Sequence, residues 1–407
     1  MKSEHSTSEL VEAEGHLIDS RLMTEILDTV VKHGAAFEVL EFTIGRTNDE
    51  YSRLRMRVDA GPAGGMEDLL EELLALGCRV SAERDAALEP VKIEGCAPDD
   101  FYSTSNHHTW IRHRGAWLEV QRQRMDATII VAGGRAECRK LRDLRKGDLV
   151  VCGVDGLRVV PEFRERDRHG FAFMTTGISS ERHVETTVAR VAQMIRSVKA
   201  SRGRVAFVAG PVVVHTGATG YFCDLIRRGY VDVLLAGNAL AVHDIEAALY
   251  GTSLGVSLAT GAPVEGGHRH HMRAINTIRR YGGITAAVAA GVLRSGIMFE
   301  CIERQVPFVL AGSIRDDGPL PETLMDLVEA QDRYAAELAD AKMAVILSTM
   351  LHGIGVGNML PSWVKVVCVD INPSVVTKLV DRGSAQTIGV VTDTGLFVHQ
   401  LAASLAD

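Results

Sequence analysis

An α/β protein is predicted, with a C-terminal parallel-sheet domain, an N-terminal ferredoxin-like α+β domain and a small β-rich middle domain. After Ser179, near-continuous apolar runs alternate with amphipathic helical stretches, the pattern of a parallel sheet covered on both faces. Between Gly15 and Ala82 the order strand–helix–strand–strand–helix–strand is that of a split-βαβ unit. From about Phe101 to Thr176 short strands are parted by Gly and Asp turns. The expected boundaries are a flexible tail at 1–14, the ferredoxin-like domain at 15–98, the β-rich domain at 99–178 and the α/β domain at 179–407.

In order, "GHLID" opens the first unit as a strand. "RLMTEILDTVVKHG" sets Leu22, Ile26, Leu27, Val30 and Val31 on one helical face, with Gly34 as its stop. "AFEVLEFTIG" alternates as a strand, and in "YSRLRMRVDA" Leu54, Met56 and Val58 alternate with Arg53, Arg55 and Arg57. "MEDLLEELLALG" is a second amphipathic helix, and "CRVSA" closes the unit. The middle strands are "WLEVQ", "ATIIVAGGRAECRKL", "GDLVVCGVDGLRVVP" and "FAFMT". A long helix follows, with Val184, Val188, Val191, Ile195 and Val198 spaced four and three apart and Ser180 as N-cap. The parallel strands are then "RVAFVAG", "VDVLLAG", "PFVLAG", "MAVILST" and "VKVVCVD".

The 407 residues suffice for two or three cores, and 44 basic against 52 acidic residues leave a net charge of −8. That balance, without a dense Lys/Arg cluster, argues against nucleic acid as a partner. The polar first fifteen residues do not resemble a signal peptide, and the longest weakly apolar run, "GGITAAVAAGVLRSG", is too short and glycine-rich to span a bilayer. Seven scattered cysteines without a CxxC pair read as free thiols in a reducing cytoplasm, with Cys301 and Cys368 as buried apolar residues.

Ligands of open α/β sheets lie beyond the carboxyl ends of the strands. The five strand ends continue as "GPVVVHTGATG", "GNALAVHDIE", "GSIRDDGPLP", "TMLHGIGVGN" and "DINPSVVTK", rich in glycines, amides, hydroxyls, carboxylates and imidazoles. In the fourth, Gly353, Gly355 and Gly357 follow a strand, and Asp370 ends the next. That is a dinucleotide layout, with backbone NH groups for the pyrophosphate and a carboxylate for ribose hydroxyls. The spacing is GxGxG, so a helix-packing glycine turn with Asp370 as a cap is the competing reading. A carboxylate at 370 would repel a 2′-phosphate, favouring NAD over NADP. "EGGHRHHMRAIN" offers His268, His270 and His271 for proton transfer, while Glu265 alone nearby is a poor start for a metal site, so no metal is expected. His243 and Glu246, with Asp244 between, read as a capping network at a helix start.

These stretches, together with "GYVDVLLAGNALAVHDIEAALYGTSLG", "PFVLAGSIRDDGPLP", "VVCVDINPSVVTKLVDRGSAQ" and "GVVTDTGLF", closely resemble the archaeal-type NAD-dependent ornithine cyclodeaminase family, over residues 15–400. That family shares a conserved region with lysine-ketoglutarate reductase/saccharopine dehydrogenase enzymes and is similar to the C-terminal half of cyanobacterial arginine dihydrolase/ornithine cyclodeaminases. The resemblance implies a deoxyhypusine-synthase-like NAD-binding domain. Its cofactor contacts would fall on Asn238, Ala239, Asp317, Thr349, Met350, Leu351, His352, Asp370, Ile371, Asp393 and Thr394. With only a tail before residue 15, arginine hydrolysis is expected to be absent. At "FYSTSNHHTWIRHRGAWLEV" the family typically has a proline and an acidic residue where His108 and Trp110 stand.

The implied reaction takes L-ornithine to L-proline and ammonia by transient hydride transfer to NAD, in a cytoplasmic homo-oligomer. Arg315 is the candidate for the substrate carboxylate, and Asp316 or one of His268, His270 and His271 for proton transfer. In "VPFVLAGSIRDDGPLPETL", Asp317 would meet the nucleotide while "GPLP" stiffens the turn. The rivals are an NAD-dependent dehydrogenase of another diamino or imino acid, and a non-catalytic NAD- and amino-acid-binding regulator.

Overall fold

The computed structural model describes residues 8–18, 22–45, 50–60, 65–80, 84–160, 181–265, 267–316, 318–382 and 387–406, with the backbone alone at 181–183, 268 and 381–382. The chain divides into two compact units, residues 1–174 with Leu360–Trp363, and Thr175–Met359 with Val364–Asp407.

The first unit opens with β1 (Ser8–Gly15), α1 (Leu22–Lys32), β2 (Ala36–Thr43), β3 (Ser52–Asp59), α2 (Met66–Ala75) and β4 (Cys78–Val80). The strands pair antiparallel in the order β2-β3-β1-β4, the ferredoxin-like arrangement. In β3, Leu54, Met56 and Val58 turn to the core, and Arg53, Arg55 and Arg57 turn to solvent. The first strand corrects the sequence reading: it covers residues assigned to a tail, and "GHLID" begins only at its last residue. Val11 and Ala13 are buried, while Glu12 and Glu14 face outward and pair with Arg55, Arg79 and Arg53. The acidic character that suggested a tail belongs to one face of a central strand.

Seven strands follow in this unit: β5 (Ala87–Pro90), β6 (His108–His113), β7 (Ala116–Gln121), β8 (Thr128–Ala132), β9 (Arg135–Arg139), β10 (Leu149–Cys152) and β11 (Leu157–Val160). They form one sheet in the order β11-β6-β7-β9-β8-β10-β5 around Ile111, Ile129, Val131, Val151 and Leu157. Because β5 pairs with β10, the β-rich sheet begins before residue 99, and the boundary at 98 is too late. "FAFMT" lies outside the described residues.

The second unit runs α3 (Glu181–Ala200), β12 (Arg204–Ala209), α4 (Val212–His215), α5 (Thr219–Arg227), β13 (Val233–Gly237), α6 (Asn238–Tyr250), β14 (Thr252–Ser253), β15 (Val256–Ser257), α7 (His270–Tyr281), α8 (Ile284–Ala289), α9 (Ile297–Glu303) and β16 (Phe308–Ala311). It continues with β17 (Thr323–Leu324), α10 (Leu327–Leu338), β18 (Ala341–Leu347), α11 (Met350–Met359), β19 (Lys365–Asp370), α12 (Pro373–Arg382), β20 (Thr387–Val391) and α13 (Thr394–Ser404). Seven parallel strands lie in the order β17-β16-β13-β12-β18-β19-β20. Without the short edge strand β17, that is the doubly wound order 3-2-1-4-5-6. Phe207, Leu234, Val345 and Val367 are fully buried between the helical layers, as uninterrupted apolar strands require. The edge strands β17 and β20 were not read from the sequence.

If β1 is a central strand, amide hydrogen exchange at Leu10–Ala13 will be as slow as in β3; a tail would exchange at unstructured rates. Met56→Ala, at a fully buried position, is expected to cost about 2–5 kcal/mol in denaturant unfolding of that unit.

Candidate active site

In the doubly wound order the connections reverse direction between β12 and β18, which opens a crevice at their carboxyl ends. There the two chains nearly touch: Gly210 N–H donates to the Leu347 carbonyl at 2.9 Å. A Cβ at position 210 would collide with the Ser348 carbonyl oxygen, so only glycine fits. Ser348 itself takes a left-handed backbone (φ 44°) and hydrogen-bonds Thr394 through its hydroxyl. The ends of β12, β18 and β20 are thereby tied together.

Helices α6, α11, α12 and α13, each of ten or more residues, start within three residues of the ends of β13, β18, β19 and β20. Their first-turn NH groups have no intrahelical acceptors and favour an anion. Asn238 and Ala239 open α6, Thr349 and Met350 open α11, and Asp393 caps α13 by accepting Leu396 N–H at 2.9 Å. Asp370 ends β19, and one of its oxygens accepts Asn372 N–H at 2.8 Å, leaving acceptor capacity on the carboxylate. Leu351 and Ile371 are 76% and 68% exposed, apolar surface that a flat ring would cover. Half-buried His352 bonds Thr349 through Nδ1 at 3.0 Å, and its partial burial lowers its pKa. This set of donors, one carboxylate and apolar surface fits a dinucleotide.

The glycine reading needs correction. Gly353, Gly355 and Gly357 lie inside α11, not in a loop, and Gly353 packs on Ile346 and Leu379. The anion-facing groups are those of the helix start.

The charged turn after β16 is held from outside. Asn238 Nδ2 donates to Asp316 Oδ1 at 2.7 Å, and Ser313 N–H donates to Oδ2 at 2.7 Å. Asn238 Oδ1 accepts Leu320 N–H at 3.1 Å and Thr323 Oγ1–H at 3.0 Å. Asp316 thus clamps the turn through both oxygens, and the side chain of Asn238 is committed to the same task. Arg315 is exposed, and Asp317 lies outside the described residues.

A second polar cluster surrounds Glu246, which is fully buried in α6. Its carboxylate accepts from His243 Nδ1 at 2.9 Å, Thr252 Oγ1 at 2.9 Å, Gly255 N–H at 3.1 Å and Leu254 N–H at 3.3 Å. Burial pushes its pKa up, but the bonds from His243, Gly255 and Thr252 outweigh this and hold the carboxyl below its ordinary value. His270 Nδ1 lies 2.8 Å from Thr252 Oγ1, and His215 Nδ1 lies 2.7 Å from Ser253 Oγ. The His215 and His243 rings are 4.8 Å apart. Burial first, then His243, push His215 down to about 4 against the opposing pull of Glu246. His243 and Glu246 are therefore not a cap at a helix start: they lie mid-helix, and Asp244 between them caps α9 by accepting Ile297 and Met298 N–H at 2.8 Å. Sequence reasoning missed Thr252, Ser253 and His215, because only the turn after α6 brings them back to Glu246. The side chain of His268 is outside the described residues.

Comparison with known proteins matches residues 189–401 to the model for the C-terminal Rossmann fold of arginine dihydrolase ArgZ-like proteins. Residues 108–188 match its first region, and residues 8–107 the conserved region of LOR/SDH bifunctional enzymes. The ornithine cyclodeaminase of Methanothermobacter thermautotrophicus is 48% identical over 95% of both chains. The chain belongs to the archaeal-type ornithine cyclodeaminase family. The bifunctional arginine dihydrolase/ornithine cyclodeaminase AgrE of Nostoc is 49% identical over 98% of this chain, which spans 58% of that protein's length. The crystal structure of AgrE with ornithine and NAD+ covers 98% of this chain and 57% of AgrE, at a TM-score of 0.54. The apo structure of the cyanobacterial arginine dihydrolase ArgZ, 45% identical, covers 98% of this chain and 58% of its own at 0.85.

His108 and Trp110, where the sequence departs from the family pattern, lie in a cluster of stacked rings. His108 stacks on Trp363 with centroids 3.9 Å apart and on Trp110 at 5.7 Å, and Arg158 lies over Trp110. All seven cysteines are free; Cys301 and Cys368 are buried, which pushes both thiols up, Cys368 to about 12. No described helix is long and apolar enough to cross a membrane.

His215 binds its proton more weakly folded than unfolded, about 4 against 6.5. The unfolded chain holds the extra proton across that window, so stability rises with pH there and is lost as pH falls toward 4. His215→Gln should gain less stability than wild type between about pH 4.5 and 7 in denaturant titrations; equal gains would show that His215 is not buried neutral.

Proposed function

We propose that this chain is an NAD-dependent ornithine cyclodeaminase that converts L-ornithine to L-proline and ammonia. The observation that carries it is near-half identity across almost the whole length of an archaeal relative of that name, joined to strand ends that fit a dinucleotide. NAD would be held by the first turns of α6, α11 and α13, at Asn238, Ala239, Thr349, Met350, Leu351, His352, Asp393 and Thr394. Asp370 with Ile371 would take the adenosine ribose, and Asp317 is read as a further contact. When bound, the cofactor accepts the hydride of the α-carbon and returns it after ring closure, so the reaction has no net oxidation. Arg315, exposed at the turn clamped by Asp316, is read as the partner of the substrate carboxylate. Buried thiols and the absence of a membrane-crossing helix among the described residues support a cytoplasmic protein, and enzymes of this size and class are commonly symmetric oligomers.

With L-ornithine and NAD+, the purified chain should release proline and ammonia in equal amounts while absorbance at the reduced-nicotinamide band stays flat. A steady rise in that band would indicate a dehydrogenase instead. NAD+ should bind more tightly than NADP+, and Asp370→Asn should narrow the gap by about tenfold, the worth of one charge-assisted contact; equal affinities in the wild type would defeat the assignment of Asp370.

A further inference from the structure

Ornithine cyclodeamination makes a demand on protons that the hydride path does not meet. Ornithine begins with two ammonium groups. The α-ammonium must lose a proton as the α-carbon loses hydride, leaving a C=NH2+ bond. The δ-ammonium must lose one before its nitrogen can form the new C–N bond. When the α-nitrogen leaves it takes one proton back to become ammonium, and the proline nitrogen takes the other. Two protons are borrowed and two returned, with no net release, so the site needs two neutral bases that keep their protons close.

We propose that His243 and His270 are those two bases, and that Glu246 and Thr252 are the positioning residues that fix both imidazoles with Nε2 as the acceptor. The inference rests on the ornithine reading above. A carboxylate can only accept, so His243 must present Nδ1–H to Glu246, at 2.9 Å. Thr252 has one hydroxyl proton and gives it to the other Glu246 oxygen at 2.9 Å, so toward His270 it must accept. His270 therefore also carries its proton on Nδ1, 2.8 Å away. One buried carboxylate sets two tautomers, directly and through one hydroxyl. The Tyr250 ring stacked on His270, with centroids 4.8 Å apart, holds that imidazole in place.

The location suits the role. α6 begins at the carboxyl end of β13, and His243 lies five residues in, a rise of about 7.5 Å at 1.5 Å per residue. His215, at the end of the first helix after β12, brings the cluster to the neighbouring strand end. Asp316, the rival candidate, has both oxygens engaged in the turn. An imidazole whose Nδ1–H is held by an acceptor presents Nε2 as a free lone pair, the form that takes up a proton.

The test uses the full chain and three readouts: steady-state proline formation, NAD+ affinity by titration, and the 15N shifts of the histidine rings. His243→Asn and His270→Asn should each lower kcat by about 10²–10⁴-fold, the usual worth of a general base, with NAD+ affinity within about threefold of wild type. Thr252→Ser, which keeps the hydroxyl, should stay within about tenfold of wild type, and Thr252→Val should fall to the level of His270→Asn. In the wild type, both rings should show the Nδ1–H tautomer, and Glu246→Gln should abolish that pattern for His243. Wild-type proline formation with undiminished kcat in both asparagine variants would overturn the assignment, as would an Nε2–H tautomer at both rings. Should Glu246→Gln not fold, the serine and valine pair at position 252 decides. If the wild type makes no proline, the substrate reading falls and takes the base assignment with it, whereas loss of activity in the variants alone cannot come from that cause.

Discussion

The contact on which the site depends is the close pairing of β12 with β18. These strands are adjacent in space and more than 130 residues apart in sequence, and Gly210 lets their ends approach until its N–H reaches Leu347. The side chains that follow the strand ends then gather along one edge, because parallel strands all end on the same side of the sheet. The crossover helices cover the sheet faces and start where the strands stop, so their unpaired NH groups collect at one edge. Phosphate-binding character needs no special residue type under this constraint; it follows from the direction in which the chain is wound.

Helix α6 is the second organising element. It is buried nearly all round, yet carries Asn238, Asp244 and Glu246 on its covered surface. A buried polar group without partners costs about 1–3 kcal/mol, and a charge costs more. Each of these three is therefore fully engaged, and each is engaged elsewhere in the chain: Asn238 with the turn after β16, Asp244 with the start of α9, and Glu246 with the turn after the helix itself. Burial raises Asp244 to about 6 even with its two backbone donors. A helix that shared these acceptors with water would leave three loops unfixed. The polar residues of α6 give little net stability, but they determine where the loops go.

Much of this was legible in the sequence, and what was not has physical reasons. Five of the parallel strands were evident as apolar runs because burial on both faces removes any alternation. The helix α3 was evident because its 4-3-4-3 spacing answers to one buried stripe, Val188, Val191, Ile195 and Val198. β1 was hidden because its outward glutamates are matched by arginines on β3 and β4, partners that adjacent sequence does not reveal. α11 was mistaken for a loop because three glycines at alternate positions suggest backbone freedom, whereas tight packing on Ile346 and Leu379 explains the first of them. The imidazoles of "HRHH" were noticed as proton carriers, but the link of His270 to Glu246 runs through Thr252, and a hydroxyl in a two-residue strand leaves no periodic signal.

In the proposed reaction the two polar systems at the strand ends divide the work by the form of their charge. Arg315 stands exposed at the turn that Asp316 clamps, where in the proposed reaction it meets a carboxylate that does not change. Around Glu246 one carboxylate is sealed from solvent and holds the Nδ1 side of His243 directly and of His270 through Thr252, as the proposed proton transfer requires. His215, held near 4, stays neutral at physiological pH and adds no positive charge beside them. A permanently cationic neighbour would disfavour protonation of the others and would repel a substrate that arrives with two ammonium groups. One helix, α6, thus anchors both arrangements, the turn that carries Arg315 from its first residue, Asn238, and the two imidazoles from its middle, through Glu246.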